Sequence, residues 1–283
     1  MKKKIGIVGL GLIGGSLAKA VKKYTENTVI GYDKSETVLD AATAEKSIDF
    51  AGDLLSLSEP DILIIALYPG QTIGFMKENA PRLKKGCLVI DTCGVKSCVC
   101  LALGPLCREN GLIFIGGHPM AGREFSGYSY STPELFQGAN MILTPEGAGE
   151  GAVSEASAFF YRLGFGKVVM TTPENHDRMI AFTSQLAHVV SNAYIKSPEA
   201  LLHHGYSANS YRDLTRVARL NEEMWTELFL FNRDALTAEI DTVIKHLGEY
   251  RDAIAQNDET RLKALLKEGS DLKKQIDDYG GQQ

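Results

Sequence analysis

The sequence has no block of basic residues, no CxxC pair, no uninterrupted apolar run long enough for a membrane span, no internal repeat and no low-complexity linker. Each absence removes a class of protein. With 30 Lys and Arg against 35 Asp and Glu, the formal net charge of −5 provides no cationic surface. A dedicated nucleic-acid or anionic-membrane binder would need one. The five cysteines, Cys87, Cys93, Cys98, Cys100 and Cys107, are odd in number and crowd into one stretch. That pattern argues against a disulfide framework and against a zinc site, so a reducing, cytoplasmic setting and no bound metal are expected. Crossing a bilayer takes roughly 18 continuous apolar residues, and every apolar run here is interrupted sooner. What is present is ordinary: 283 residues, 44% hydrophobic and 23% charged, enough for one large or two ordinary domains around a sizeable core.

The N-terminus imitates a secretory signal, with MKKK, an apolar run, and Ala18-Lys19-Ala20 as a cleavage-like triplet. Against that reading stand Gly6, Gly9, Gly11, Gly14 and Gly15. Each glycine costs a continuous helix about 1 kcal/mol relative to alanine. Their spacing has a better explanation in the alternation that follows. Strands are expected at Lys4–Val8, Thr28–Tyr32, Asp61–Ala66, Cys87–Asp91, Leu112–Gly116, Met141–Thr144 and Lys167–Thr171. Between them fall helical patterns at Leu12–Lys23, Glu36–Glu45, Thr72–Leu83, Lys96–Glu109 and Val153–Leu163. Strands alternating with helices of about ten residues imply an open, doubly wound α/β sheet. Beyond Thr172 the pattern turns wholly helical. One helix is expected from Pro173 to Lys196, a second from Glu222 to Leu247, and a third around Leu262–Ile276. The expected organisation is therefore an α/β domain of Rossmann type over 1–172 and an all-helical domain over 173–283.

Gly9-Leu10-Gly11-Leu12-Ile13-Gly14 is a GxGxxG turn placed between the first strand and the first helix, with Asp33 ending the second strand. In that context the turn is specific for a dinucleotide. Gly9 permits the tight turn, Gly11 lets backbone approach a pyrophosphate, and Gly14 lets helix and strand pack closely. The helix N-terminus supplies free N–H groups and a positive dipole end. Asp33 is placed to bind the adenosine ribose, and its charge repels a 2′-phosphate, which favours NAD over NADP; Lys34 weakens that preference slightly. Leu67 and Thr92, just past two later strands, complete the expected cofactor set with Leu12 and Ile13.

His118, in Gly116-Gly117-His118-Pro119-Met120-Ala121-Gly122, follows a strand at the end of the sheet where ligands gather. An imidazole there can take a hydroxyl proton as hydride leaves the same carbon; a structural loop histidine is the other reading. In the helix after Pro173, Ser184, His188 and Asn192 form a polar stripe at i, i+4 and i+8, flanked by Gln185, on an otherwise apolar rod. A buried polar stripe needs partners, either substrate and nicotinamide or neighbouring side chains. Arg212 and Arg216 stand four residues apart as a fork for a carboxylate, with a surface ion pair preferred for Arg212.

These segments resemble the prephenate/arogenate dehydrogenases of tyrosine biosynthesis. The likeness is carried by Gly9–Gly14, Asp91-Thr92-Cys93-Gly94-Val95-Lys96, His118–Gly122 with Glu124 and Ser126-Gly127, Ser184–His188, and Tyr211–Ala218 with Met224-Trp225. It spans about residues 3–270. The resemblance implies oxidative decarboxylation of a cyclohexadienol, prephenate or arogenate, with NAD taking hydride. It further implies that His118 accepts the ring hydroxyl proton, that His188 contacts substrate and that Arg216 holds a carboxylate. A homodimer is expected from the near all-round apolar helix over 173–196, which one small domain could hardly bury alone. Two positions depart from the family pattern. Gly94 stands where the family has a serine, leaving Ser97 to supply a hydroxyl or His118 to act without one. Arg123 stands where a small hydroxyl residue is usual; it suits the pyruvyl carboxylate of prephenate, whereas Glu124 suits the ammonium of arogenate. A hydroxy- or imino-acid dehydrogenase, or a non-catalytic NAD-sensing protein, are the competing readings. The two domains use up the chain, so no mutase or regulatory domain is expected, and any inhibition by tyrosine should be competitive.

Overall fold

The structure, a computed structural model, describes residues 2–123 and 125–280. Its centre is an eight-stranded sheet in the order β3-β2-β1-β4-β5-β6-β7-β8. The strands are β1 (Lys4–Val8), β2 (Thr28–Tyr32), β3 (Phe50–Ala51), β4 (Ile62–Ile65), β5 (Leu88–Asp91), β6 (Ile113–Pro119), β7 (Asn140–Thr144) and β8 (Lys167–Met170). β1 to β6 pair in parallel, β7 runs antiparallel to β6, and β8 is parallel to β7. The strand order reverses between β1 and β4. In open α/β sheets this switch point opens the crevice in which ligands sit, at the carboxyl ends of the strands.

Burial explains why the apolar runs are strands. β4 is Ile62-Leu63-Ile64-Ile65, buried throughout. Its successive side chains point to opposite faces. Ile62 and Ile64 join Ile5, Ile7 and Ile90 beneath α1 (Leu12–Tyr24) and α5 (Glu150–Arg162). Leu63 and Ile65 join Val89 beneath α3 (Pro69–Asn79) and α4 (Ser97–Glu109) on the other face. Each such side chain contributes roughly 1.5–3 kcal/mol relative to exposure, so the sheet is a firm platform for the loops at its edge. α2 (Glu36–Ala44) completes the crossovers, N-capped by Ser35.

Three local differences from the expected pattern have physical causes. The helix expected from Pro173 to Lys196 ends at Tyr194 and is interrupted: α6 (Pro173–Ile180) and α7 (Leu186–Tyr194) are joined by a π turn at Ala181–Gln185. Such insertions shift the helical register and recur at functional sites. The helix expected over Glu222–Leu247 breaks at Asn232, between α9 (Glu222–Phe231) and α10 (Arg233–Ala255). The buried Asn232 amide donates instead to the Asp177 carbonyl and to Gln185 Oε1, at 2.9 and 2.8 Å. β7 is antiparallel to β6; among the described residues between them there is no crossover helix, which parallel neighbours need. A short helix, α8 (Asn209–Thr215), and α11 (Glu259–Gly280) complete the chain.

Two compact units divide in sequence between Arg233 and Asp234. The first contains the sheet and α1 to α9. The second is the hairpin of α10 and α11, where Tyr250 donates to the Leu265 carbonyl at 3.2 Å. Among the described residues no helix is long and apolar enough to cross a membrane.

Candidate active site

The glycine turn occupies the carboxyl end of β1. Gly9 has φ +84°, and a Cβ there would lie 2.6 Å from the Ala66 carbonyl oxygen. A Cβ on Gly14 would lie 1.8 Å from the Gly9 oxygen, so α1 can approach β1 only because position 14 has none. Around Gly11, by contrast, a Cβ would meet nothing within 4 Å. The backbone there faces open space at the N-terminus of α1, a cradle that fits a pyrophosphate. Asp33 follows β2 and ties the turn together. One carboxylate oxygen accepts from the Leu10 N–H at 2.8 Å, the other from the Ser35 N–H at 2.9 Å. Leu67, past β4, packs against Gly9, and Thr92, past β5, donates its backbone N–H to the Ile65 carbonyl at 3.0 Å. Leu12 and Ile13 are half-buried in the first turn of α1. All eight expected cofactor residues thus gather at the switch point.

His118 lies near the end of β6. Its Nδ1 is 2.9 Å from His176 Nε2, and His176 Nδ1 is 2.8 Å from Asp177 Oδ1. Both partners are on α6 and buried, with 2% and 4% exposure. Asp177 also caps α4 from outside that helix, accepting the Lys96 N–H at 2.7 Å and the Ser97 N–H at 2.8 Å. The helix N-terminus favours its negative charge. Beneath lies a fully buried ion pair of Lys96 with Asp91. Asp91 additionally accepts the Cys93 and Gly117 N–H groups, at 2.9 and 3.1 Å, and so joins the loop after β5 to β6.

The electrostatics follow from this packing. Burial pushes His118 well below the ordinary histidine range; His176 and Lys96 act in the same direction and Asp177 opposes them. Burial also lowers His176, against the pull of Asp177. Burial alone would raise Asp177, but the hydrogen bonds from His176, Ser97 and the Lys96 backbone hold it below the usual carboxylate value. For Lys96, desolvation is outweighed by Asp91, so the ammonium stays charged. His118 is consequently a neutral imidazole beside a charged and fully partnered cluster.

The expected helical residues are held as follows. His188 is half-buried, its Nδ1 2.8 Å from the Ser184 carbonyl oxygen and its ring 4.0 Å from that of Trp225. A carbonyl can only accept, so Nδ1 carries the proton and Nε2 offers a lone pair. Burial lowers its pKa, and Arg216 lies near enough to lower it further. α9 crosses the loop after β5. Leu228 Cδ2 is 3.4 Å from where a Gly94 Cβ would be, and Glu227 accepts the Gly70 N–H at 2.5 Å.

The expected site residues come together in two pairs, His118 with Gly94 and His188 with Arg216, all from one compact unit. Ser97 directs its N–H and hydroxyl to Asp177. Gln185 is buried with both ends of its amide used, donating to the Leu228 carbonyl and accepting from Asn232. Asn192 is tied to the Ala218 carbonyl, at 3.0 Å. Arg123 is exposed on the loop after β6, and Glu124 lies outside the described residues. Arg212 is exposed and donates to Asn209. The five cysteines are free, and burial pushes their thiols up, Cys98 to about 11 and Cys87, Cys100 and Cys107 to about 12. Cys93 is likewise raised, and none is primed as a thiolate. Sequence reasoning missed His176, Asp177 and the role of the Asp91–Lys96 pair. They stand in polar surroundings that carry no periodic signal, and only their burial marks them.

A glycine turn that fits a dinucleotide, with a neutral histidine near the carboxyl end of β6 in the same sheet, is the pattern of a dehydrogenase of the Rossmann type. Comparison with known proteins gives the family. The model described as prephenate dehydrogenase, nucleotide-binding domain, matches residues 17–170, and that of the prephenate dehydrogenase dimerization domain matches residues 172–268. The chain belongs to the prephenate dehydrogenase family. It is 34% identical to a cyclohexadienyl dehydrogenase of Zymomonas mobilis, over 94% of this chain and 93% of that one. Among solved structures it resembles prephenate dehydrogenase from A. aeolicus in complex with hydroxyphenyl propionate and NAD+, at 26% identity and a TM-score of 0.85, covering 98% of this chain and 99% of that one. It also resembles arogenate dehydrogenase from Synechocystis, at 29% identity and a TM-score of 0.81, over 96% and 99% of the two chains.

Proposed function

We propose that the chain catalyses the NAD-dependent oxidative decarboxylation of prephenate to 4-hydroxyphenylpyruvate. The observation that carries this reading is the neutral His118 near the carboxyl end of β6, beside the glycine at position 94 against which Leu228 of α9 lies, the helix whose Trp225 stacks on His188. The residues present fit NAD: Gly9–Gly14 would cradle its pyrophosphate, Asp33 its ribose, and Leu67 and Thr92 would line its path. Bound there, the cofactor supplies a hydride acceptor. His118 takes the proton of the ring hydroxyl as the C–H bond on the same carbon breaks, and returns it to the phenolic oxygen when CO2 leaves and the ring becomes aromatic. No net proton is required. Arg216 pairs with a substrate carboxylate, His188 offers Nε2 to the substrate, and Ser97 acts through Asp177 rather than on substrate.

Prephenate is put first because relatives named prephenate dehydrogenase match most of the chain; Arg123 suits its pyruvyl carboxylate, while Glu124 suits the ammonium of arogenate. The cyclohexadienyl and arogenate dehydrogenases among the relatives keep arogenate as the second reading. We assign residues 1–172 to cofactor binding and 173–283 to substrate binding and dimerisation. Met179, Phe182 and Tyr194 are exposed along α6, the π turn and α7 of a single chain, apolar surface that a second copy would cover. Sedimentation at micromolar concentration should show a dimer, and a stable monomer would remove that assignment. Following NADH with prephenate and with arogenate in turn tests the substrate, with the larger kcat/KM expected for prephenate.

A further inference from the structure

We propose that His176 and Asp177 are positioning residues that fix the tautomer of His118, forcing its proton onto Nδ1 and leaving Nε2 as the free base. The inference deepens the function proposed above and rests on His118 being its base. It follows from donor and acceptor counting along one buried chain. Asp177 accepts from the Lys96 and Ser97 N–H groups, 2.7 and 2.8 Å away, at the start of α4. An ionised carboxylate can only accept, so the 2.8 Å contact between Asp177 Oδ1 and His176 Nδ1 requires the proton on His176 Nδ1. A neutral imidazole carries one N–H. His176 Nε2 is then an acceptor, and the 2.9 Å contact with His118 Nδ1 requires the proton on that nitrogen. Nothing remains for His118 Nε2 but its lone pair.

The surroundings of that lone pair support the assignment. His118 Nε2 has no hydrogen-bond partner among the described residues. It lies 4.0 Å from where a Cβ of Gly94 would stand, and Gly94 has no side chain to fill the gap. The space beside the base is left for a hydroxyl that is not the protein's own. Burial keeps both imidazoles neutral, the condition the counting needs. Ser97 enters at one remove, by adding its hydroxyl to the Asp177 carboxylate. The arrangement resembles in its logic any base held in one tautomer by a buried acid, where reversing the tautomer alone costs orders of magnitude in turnover.

The test uses the full chain labelled with 15N at its six histidines. His118→Asn identifies the His118 signals by their loss. At neutral pH the wild type should show His118 with a protonated Nδ1 and an unprotonated Nε2, with and without NAD+. His176→Phe should release that preference and lower kcat about a hundredfold, the scale of general base catalysis, while Kd for NAD+ and KM stay within about twofold. A wild-type His118 protonated on Nε2 would overturn the proposal, and so would a His176→Phe chain turning over within about threefold of wild type. The tautomer is read without substrate. Failure of the chain to oxidise prephenate would therefore remove the function while leaving the tautomer measurement to decide this proposal.

Discussion

The two ends of the proposed site, one for cofactor and one for reaction, are built in opposite ways. The cofactor end is made of backbone: a turn of six residues, Gly9–Gly14, plus Asp33 from the adjoining strand. The reacting end is made of buried side chains drawn from far apart. His118 meets His176 across 58 residues, and the Asp177 carboxylate accepts the Lys96 backbone N–H across 81. Backbone recognition needs glycines at fixed spacing, since only they permit the close approach found between Gly14 and Gly9. A buried cluster of charge needs each group to be partnered, and partners can come from any segment the fold brings near. The first kind of site keeps its shape locally, whereas the second depends on α6 and α4 staying docked.

Separability is what the comparison predicts, and the largest effect should come from the base. His118→Asn should lower kcat by two or more orders of magnitude and leave Kd for NAD+ unchanged, read by steady-state rates and by calorimetric titration. A parallel loss of NAD+ affinity would mean that the two ends are not independent. A smaller effect concerns stability in acid. His118 and His176 are both held below the ordinary value of 6.5 in the folded chain. The unfolded chain therefore binds more protons once pH drops under that value, so their contribution is full above about 6.5 and falls away below it. Urea midpoints at about pH 7.5 and about pH 5.5 should show this loss, and His176→Phe should show a smaller one. An equal loss in both chains would place the acid sensitivity elsewhere.

The same contrast explains what could be read from the sequence. Lys4–Val8 and Thr28–Tyr32 are strands at the expected residues because β-branched runs buried on both faces have one solution. The glycine turn was legible because its chemistry is contiguous. His118 was legible because it follows a strand within a glycine-rich segment. His176 and Asp177 were not. They lie in the polar stretch Pro-Glu-Asn-His-Asp-Arg that opens α6, where a solvated first turn and a buried hydrogen-bonded pair have the same appearance. Ser97 has a similar lesson: its place after Lys96 suggested a hydroxyl for the substrate, and the fold brings Asp177 to it first. The antiparallel β7 was available in principle, from the lack of any helical pattern between 120 and 139. Asn232 shows the converse, a single polar residue ending a helix that the apolar spacing would have continued.

The central claim is that a neutral His118 and the bound dinucleotide act on one cyclohexadienol in one site. It is tested most directly by incubating the chain with prephenate and NAD+ and measuring NADH and released CO2 together. Equal amounts of the two, with 4-hydroxyphenylpyruvate as the product, are what the account predicts. No NADH from either prephenate or arogenate would contradict it.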